Sequence, residues 1–74
     1  MGRLSGFKYR EVARKLRTFG FVYVRQGKGS HEVWRHIHSG LVIIVPHHSR
    51  DMPEGTLRAL LREARIDVDE FLRA

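Results

Sequence analysis

Between Lys8 and Phe19 the apolar residues Tyr9, Val12, Ala13, Leu16 and Phe19 recur at steps of three and four, a spacing that gathers them on one face of a helix. Arg10, Arg14 and Arg17 fall on another face at the same spacing. Gly20 follows the last periodic residue and suits the left-handed position that ends a helix, so the element is expected to stop near Thr18 or Phe19. The rhythm then changes. Phe21-Val-Tyr-Val-Arg-Gln26 is rich in β-branched and aromatic residues and predicts a first strand. Gly27-Lys28-Gly29 reads as a three-residue hairpin loop, Ser30 to His36 as a second strand and, after a turn at His38-Ser39-Gly40, Leu41 to Val45 as a third. Pro46 closes it, because proline cannot donate to a central ladder.

A regular first hairpin sets Gln26 opposite Ser30 and Arg25 opposite His31, which makes Arg25 and His31 cross-strand neighbours on one face. A slip of one residue would undo that pairing. The alternation leaves the core face open, since Phe21, Tyr23 and Val33 compete with Val22, Val24 and Trp34. In the second half, Asp51 with Glu54 fits a capping box, and Pro53 is tolerated in a first turn. Leu57, Leu60, Leu61 and Ala64 make a buried stripe, with Arg58, Arg62 and Arg65 outside it. Asp67 with Glu70 repeats the capping pattern before a short last helix carrying Val68, Phe71 and Leu72. The expectation is an α+β fold: helix, three antiparallel strands, helix and short helix. Both longer helices should cover the same side of the sheet and leave the other side open.

Seventy-four residues make one domain, near the lower size at which a chain buries a workable core unaided. No cysteine is present, so neither a disulfide nor a thiolate zinc site can help, which suits a reducing cytoplasm. The longest apolar run, Leu41 to Pro46, is far too short to span a membrane. Nothing reads as a targeting signal, and Met1-Gly2 is followed by Gly6 where a myristoylation signal needs Ser or Thr.

Charge is unevenly spread. Residues 1–38 hold nine Lys and Arg against Glu11 and Glu32, a balance of +7, while the remainder balances at −1. The first helix and first hairpin thus carry the footprint expected of a polyphosphate partner, with Arg10, Arg14 and Arg17 unrelieved by acids other than Glu11. Solubility, or an acidic protein partner, would also account for a basic surface.

Candidate chemistry centres on Gly27 to His36, where a Gly-flanked basic loop joins a hydroxyl and an imidazole at the root of a strand. An ordinary hairpin turn explains its glycines and lysine equally well. His36-x-His38 and His47-His48 invite a metal, yet their spacings lack the paired motifs of structural zinc sites. Gly27-x-Gly29-Ser30 opens no helix and lacks the Gly-Lys-Ser/Thr ending of a phosphate loop. A Ser-His-Asp hydrolase does not fit, since Ser30 directly precedes His31 in a strand and their side chains point to opposite faces. Acid–base work by His31 remains. RNA supplies its own nucleophile in the 2′-hydroxyl beside each phosphate, and Arg25 and Lys28 lie close enough in the hairpin to neutralise charge at phosphorus. On these grounds alone a strand histidine is more often structural than catalytic.

A helix ending in Gly20-Phe21, the run Arg25-Gln-Gly-Lys-Gly-Ser-His31, the strand end Val45-Pro-His47 and the later Gly55-Thr-Leu-Arg-Ala-Leu-Leu-Arg-Glu-Ala64 resemble HicA-type mRNA interferase toxins, the YcfA-like family. The resemblance covers nearly the whole chain in order, with Gly29-Ser30-His31 its most specific part. It implies one domain over residues 1–74 with a fold like a double-stranded-RNA-binding domain. It also implies metal-independent endoribonuclease activity with no cofactor and with His31 catalytic. RNA would be held by Arg25, Lys28, Gly29, Ser30 and the helix arginines Arg10, Arg14 and Arg17. A HicB-type antitoxin would mask the site. The alternative is a non-catalytic RNA-binding module that uses the same basic face.

Two departures stand out. Family members tend to carry Gly where this chain has Arg65, so the second helix is expected to run on. Many carry a Lys-rich tail to strand two, where this chain has His36-Ile-His38.

Overall fold

The computed structural model describes residues 3–74; Met1 and Gly2, on which the lipidation reading falls, lie outside the described residues. The elements are α1 (Tyr9–Thr18), β1 (Phe21–Gln26), β2 (His31–His36), β3 (Val42–Pro46), α2 (Glu54–Ala64) and α3 (Val68–Arg73). The expected order is therefore present, as one antiparallel sheet of order β1-β2-β3. β2 starts one residue later than expected, and β3 is displaced by one so that it takes in Pro46. An edge strand accepts proline because an N–H on its outer side has no ladder partner to lose.

The question of the core face has a mixed answer. Phe21, Trp34, Ile43 and Val45 turn inward and are at most 2% exposed. They join Val12, Ala13 and Leu16 of α1, and Leu57, Leu60, Leu61 and Ala64 of α2, in one buried cluster. Val22, Val42 and Ile44 lie on the opposite face, each about half exposed. Both helices thus cover one side and leave the other open. Neither competing set of residues is wholly inside, because a bulge interrupts β1. Tyr23 pairs with Trp34 and Arg25 with Val33, which leaves Val24 without a partner and breaks the two-residue alternation there.

α1 ends as expected: Phe19 is its C-cap and Gly20 follows at φ +91°. A Cβ at Gly20 would stand 2.8 Å from His36 Nε2, so both backbone and space demand glycine.

α2 departs from expectation at both ends. Its N-cap is Pro53, with no side-chain cap. Asp51 does not cap it but pairs with Lys8 at 2.7 Å, tying the start of α1 to the loop before α2. At the other end the helix does not run on. Arg65 adopts the left-handed conformation usually left to glycine, with φ 60° and ψ 39°, and Ile66 N–H donates back to the Leu61 carbonyl at 2.9 Å. Burial of Ile66 at 8% exposure holds the chain in this turn against the steric preference of Arg65. The second capping expectation holds in its main bond, with Asp67 accepting from Glu70 N–H.

Lys15, one of the nine basic residues of positions 1–38, is only 6% exposed. Its Nζ donates to the main-chain oxygens of Phe71 at 3.0 Å and Ala74 at 2.6 Å, capping α3 from α1. Burial, helped by Arg14, lowers its pKa below the ordinary lysine value. Phe7 packs edge-on against Phe71, and Arg3 pairs with Asp69. The segment before α1 and the last helix are thereby fastened together.

Candidate functional site

The turn of the first hairpin lies one residue later than the sequence predicts. Gly27 N–H donates to the His31 carbonyl at 2.7 Å and His31 N–H to the Lys28 carbonyl at 3.1 Å, so the three turn residues are Lys28, Gly29 and Ser30. The slip changes the register. Arg25 faces Val33 rather than His31, and Gln26 faces Glu32 rather than Ser30. Because His31 and Val33 are two apart on β2, Arg25 still shares the open face with His31, but diagonally rather than directly. On its other side His31 pairs with Pro46. Gln26 Nε2 bonds the carbonyls of Gly29 and His31, bracing the turn.

The backbone of His31 is thus fixed from several directions, whereas its side chain is exposed and carries no hydrogen bond or ion pair among the described residues. His31 lines two adjoining hollows. One, about 580 Å³, runs between β3 and α2 past Val42, Ile44, Thr56 and Ala59. The other, about 470 Å³, is bordered by Pro46, His48, Arg50, Pro53 and Thr56. Lys28 and Arg25 are exposed near the hairpin, Arg25 reaching only the Gln26 carbonyl at 3.4 Å. Gly29 and Ser30 contribute main-chain oxygens to the turn and to the bond from His47 N–H.

The helix arginines do not join this group. Arg10, Arg14 and Arg17 line a separate open groove along α1 with Tyr9, and none of them borders either hollow at His31. Arg17 also lies over the Trp34 ring at 5.4 Å, covering the core from outside.

What the sequence reading missed is a polar cluster beneath the site. Glu32 is 5% exposed, on the core face of β2. Its Oε1 accepts from Tyr9 Oη at 2.7 Å and Trp34 Nε1 at 2.9 Å, and its Oε2 lies 2.9 Å from His47 Nδ1. Burial pushes the Glu32 carboxyl up, but the three hydrogen bonds outweigh it and hold the group below its ordinary value. Burial, with the bond to Glu32, pushes the Tyr9 phenol up to about 12. The available signal was a lone acid within a strand, two residues before a Trp that would need a partner for its N–H.

The histidine pairs divide on inspection. His36 Nδ1 accepts from the backbone N–H groups of His38 and Ser39 at 3.2 and 3.1 Å, closing the turn to β3. Among the described residues no three His, Asp or Glu side chains converge as metal ligands would. His47 is committed to Glu32, whereas His48 has no bond.

A family model described as the HicA toxin of bacterial toxin–antitoxin systems matches residues 9–66. No curated protein matches the chain significantly.

Proposed function

The chain belongs to the HicA toxin family of bacterial toxin–antitoxin systems, and from that membership we propose that it is a metal-independent endoribonuclease, an mRNA interferase, with His31 as its catalytic residue. Residues 1–74 act as one HicA-like unit, in the cytoplasm where mRNA is met. No helix of the described residues is long and apolar enough to cross a membrane. Toxin–antitoxin membership implies an antitoxin partner; we assign it to the HicB type, covering His31.

One observation carries the reading. His31 is anchored through its main chain by bonds from Gly27, Gln26 and to Lys28, while its imidazole is left exposed and unbonded. A structural histidine would spend its ring on a partner, as His36 and His47 do. In the proposed reaction the imidazole takes the proton of a 2′-hydroxyl, and that oxygen attacks the adjacent phosphorus. The P–O5′ bond breaks with a proton delivered to O5′, leaving a 2′,3′-cyclic phosphate and a 5′-hydroxyl end. Arg25 and Lys28 neutralise charge at the phosphate, the backbone of Gly29 and Ser30 lets the strand approach closely, and Arg10, Arg14 and Arg17 hold more distant phosphates.

His31→Ala is expected to lower RNA cleavage by about 10²–10⁴-fold and to move stability by no more than about 0.5 kcal/mol. Cleavage at the parental rate would overturn the assignment. A parent that binds RNA in a salt-sensitive way but yields no products would favour the non-catalytic binding module instead.

A further inference from the structure

Of the histidines, two line one hollow and make no hydrogen bond or ion pair among the described residues. His31 and His48 both line the 470 Å³ hollow at the end of β3, and Arg50 lines it with them. None of these three side chains makes a hydrogen bond or ion pair among the described residues. We infer that His48 is a second catalytic residue, delivering the proton to the departing O5′ while His31 takes the proton of the 2′-hydroxyl, with Arg50 on the phosphate between them. The inference rests on the reading of the chain as an RNA-cleaving toxin.

Three features support it. The first is chemical. The attacking and leaving oxygens stand on opposite sides of phosphorus in an in-line displacement, so one imidazole cannot serve both at the same moment, whereas two that border one hollow can. The bond from 2′-oxygen to phosphorus forms as P–O5′ breaks. One proton leaves the 2′-hydroxyl for His31 and another passes from His48 to O5′, so protons balance over the step.

The second is positional. His31 is fixed opposite Pro46 in the β2–β3 ladder. The next residue, His47, is held through its N–H to the Ser30 carbonyl at 2.9 Å and through its ring to Glu32. His48 therefore leaves a doubly anchored residue, directly across from the strand that carries His31. The Glu32 cluster beneath is what keeps His47 out of the hollow and fixes the root of His48.

The third is electrostatic. Arg50 lines this hollow, and a guanidinium can bond two phosphate oxygens at once. The hollow falls within the range of small-ligand sites, about 300–1,000 Å³.

The test uses two RNA oligonucleotides of one sequence, the second with sulfur in place of the bridging O5′ at the cleaved linkage. A thiolate leaves without being protonated, so loss of a general acid is felt on the oxygen substrate alone. His48→Gln is expected to cut the oxygen substrate about a hundredfold more slowly than the parent and the sulfur substrate within a few-fold of it. His31→Ala should be slow on both. Equal loss by His48→Gln on both substrates, or no loss on either, would overturn the role of His48 while leaving RNA cleavage by the parent intact. A parent inert toward both would instead refute the underlying reading. Recovery on the sulfur substrate also reports that the variant is folded.

Discussion

His47 lies flat against Tyr9, ring centroids 3.5 Å apart and 7° from parallel, and the two side chains bond opposite oxygens of the buried Glu32 carboxylate. The start of α1 and the end of β3 are thus joined through a single acid on β2. Removing either ring would leave a buried oxygen short of a donor, and removing the acid would leave the donors without an acceptor.

Glu32→Gln is accordingly expected to cost about 2 kcal/mol, because a neutral amide with one acceptor oxygen replaces a charged carboxylate whose two oxygens meet the Tyr9, Trp34 and His47 side chains. The pH dependence follows from the same bonds. Glu32 has a folded pKa below its ordinary value, so its contribution is complete above the unfolded carboxylate range and is lost as pH falls through the folded value. Tyr9 is raised from 10.0 to about 12, so its contribution is complete below 10.0 and is lost as pH rises toward 12. Denaturant unfolding as a function of pH should show both flanks, and Glu32→Gln should flatten the acidic one. A tyrosinate absorbance titration checks the alkaline flank directly.

Neighbouring cations on α1 should behave in opposite ways. Arg14 is exposed in the α1 groove, so Arg14→Ala is expected to weaken RNA binding across sequences and lower the salt slope by about one, with stability unchanged. Lys15 is buried on the Phe71 and Ala74 oxygens. Lys15→Ala should leave the salt slope alone but destabilise the fold by about 2 kcal/mol. Amide hydrogen exchange should locate that loss first in α3.

Arg65 offers a gain. Its left-handed backbone carries a steric penalty that glycine does not, so Arg65→Gly is expected to raise stability by about 1 kcal/mol, read as a higher denaturation midpoint at unchanged cleavage rate. Arg65→Val, β-branched at the same φ, should lower it.

Periodicity alone located α1 and the three strands to within about a residue and found the buried stripe of α2 though not its ends, because Leu57, Leu60, Leu61 and Ala64, or Val12, Ala13 and Leu16, leave one face to bury. Pairing was less legible. A bulge at Val24 and a turn shifted by one residue moved Arg25 from His31 to Val33, and both are decided by how the ladder closes rather than by composition. The end of α2 at Arg65 was hidden because burial of Ile66 overrode backbone preference. His31 was singled out through the Gly-Ser-His run. That His48 and Arg50 line a hollow with it was not legible, since they come beside it only when the segment after β3 folds back toward α2. Asp51, read as a cap, instead found Lys8 from a distant part of the chain.

The fastening of the first residues to the last helix has a consequence for how the protein is made. Phe71 is a wholly buried core residue that meets Phe7, and Lys15 caps the helix that bears it. Before α3 is available, Phe7 lacks its ring partner and Lys15 the main-chain oxygens it donates to. The native packing is then completed only once α3 has emerged, so the segment before α1 waits for a helix that is made after the whole sheet.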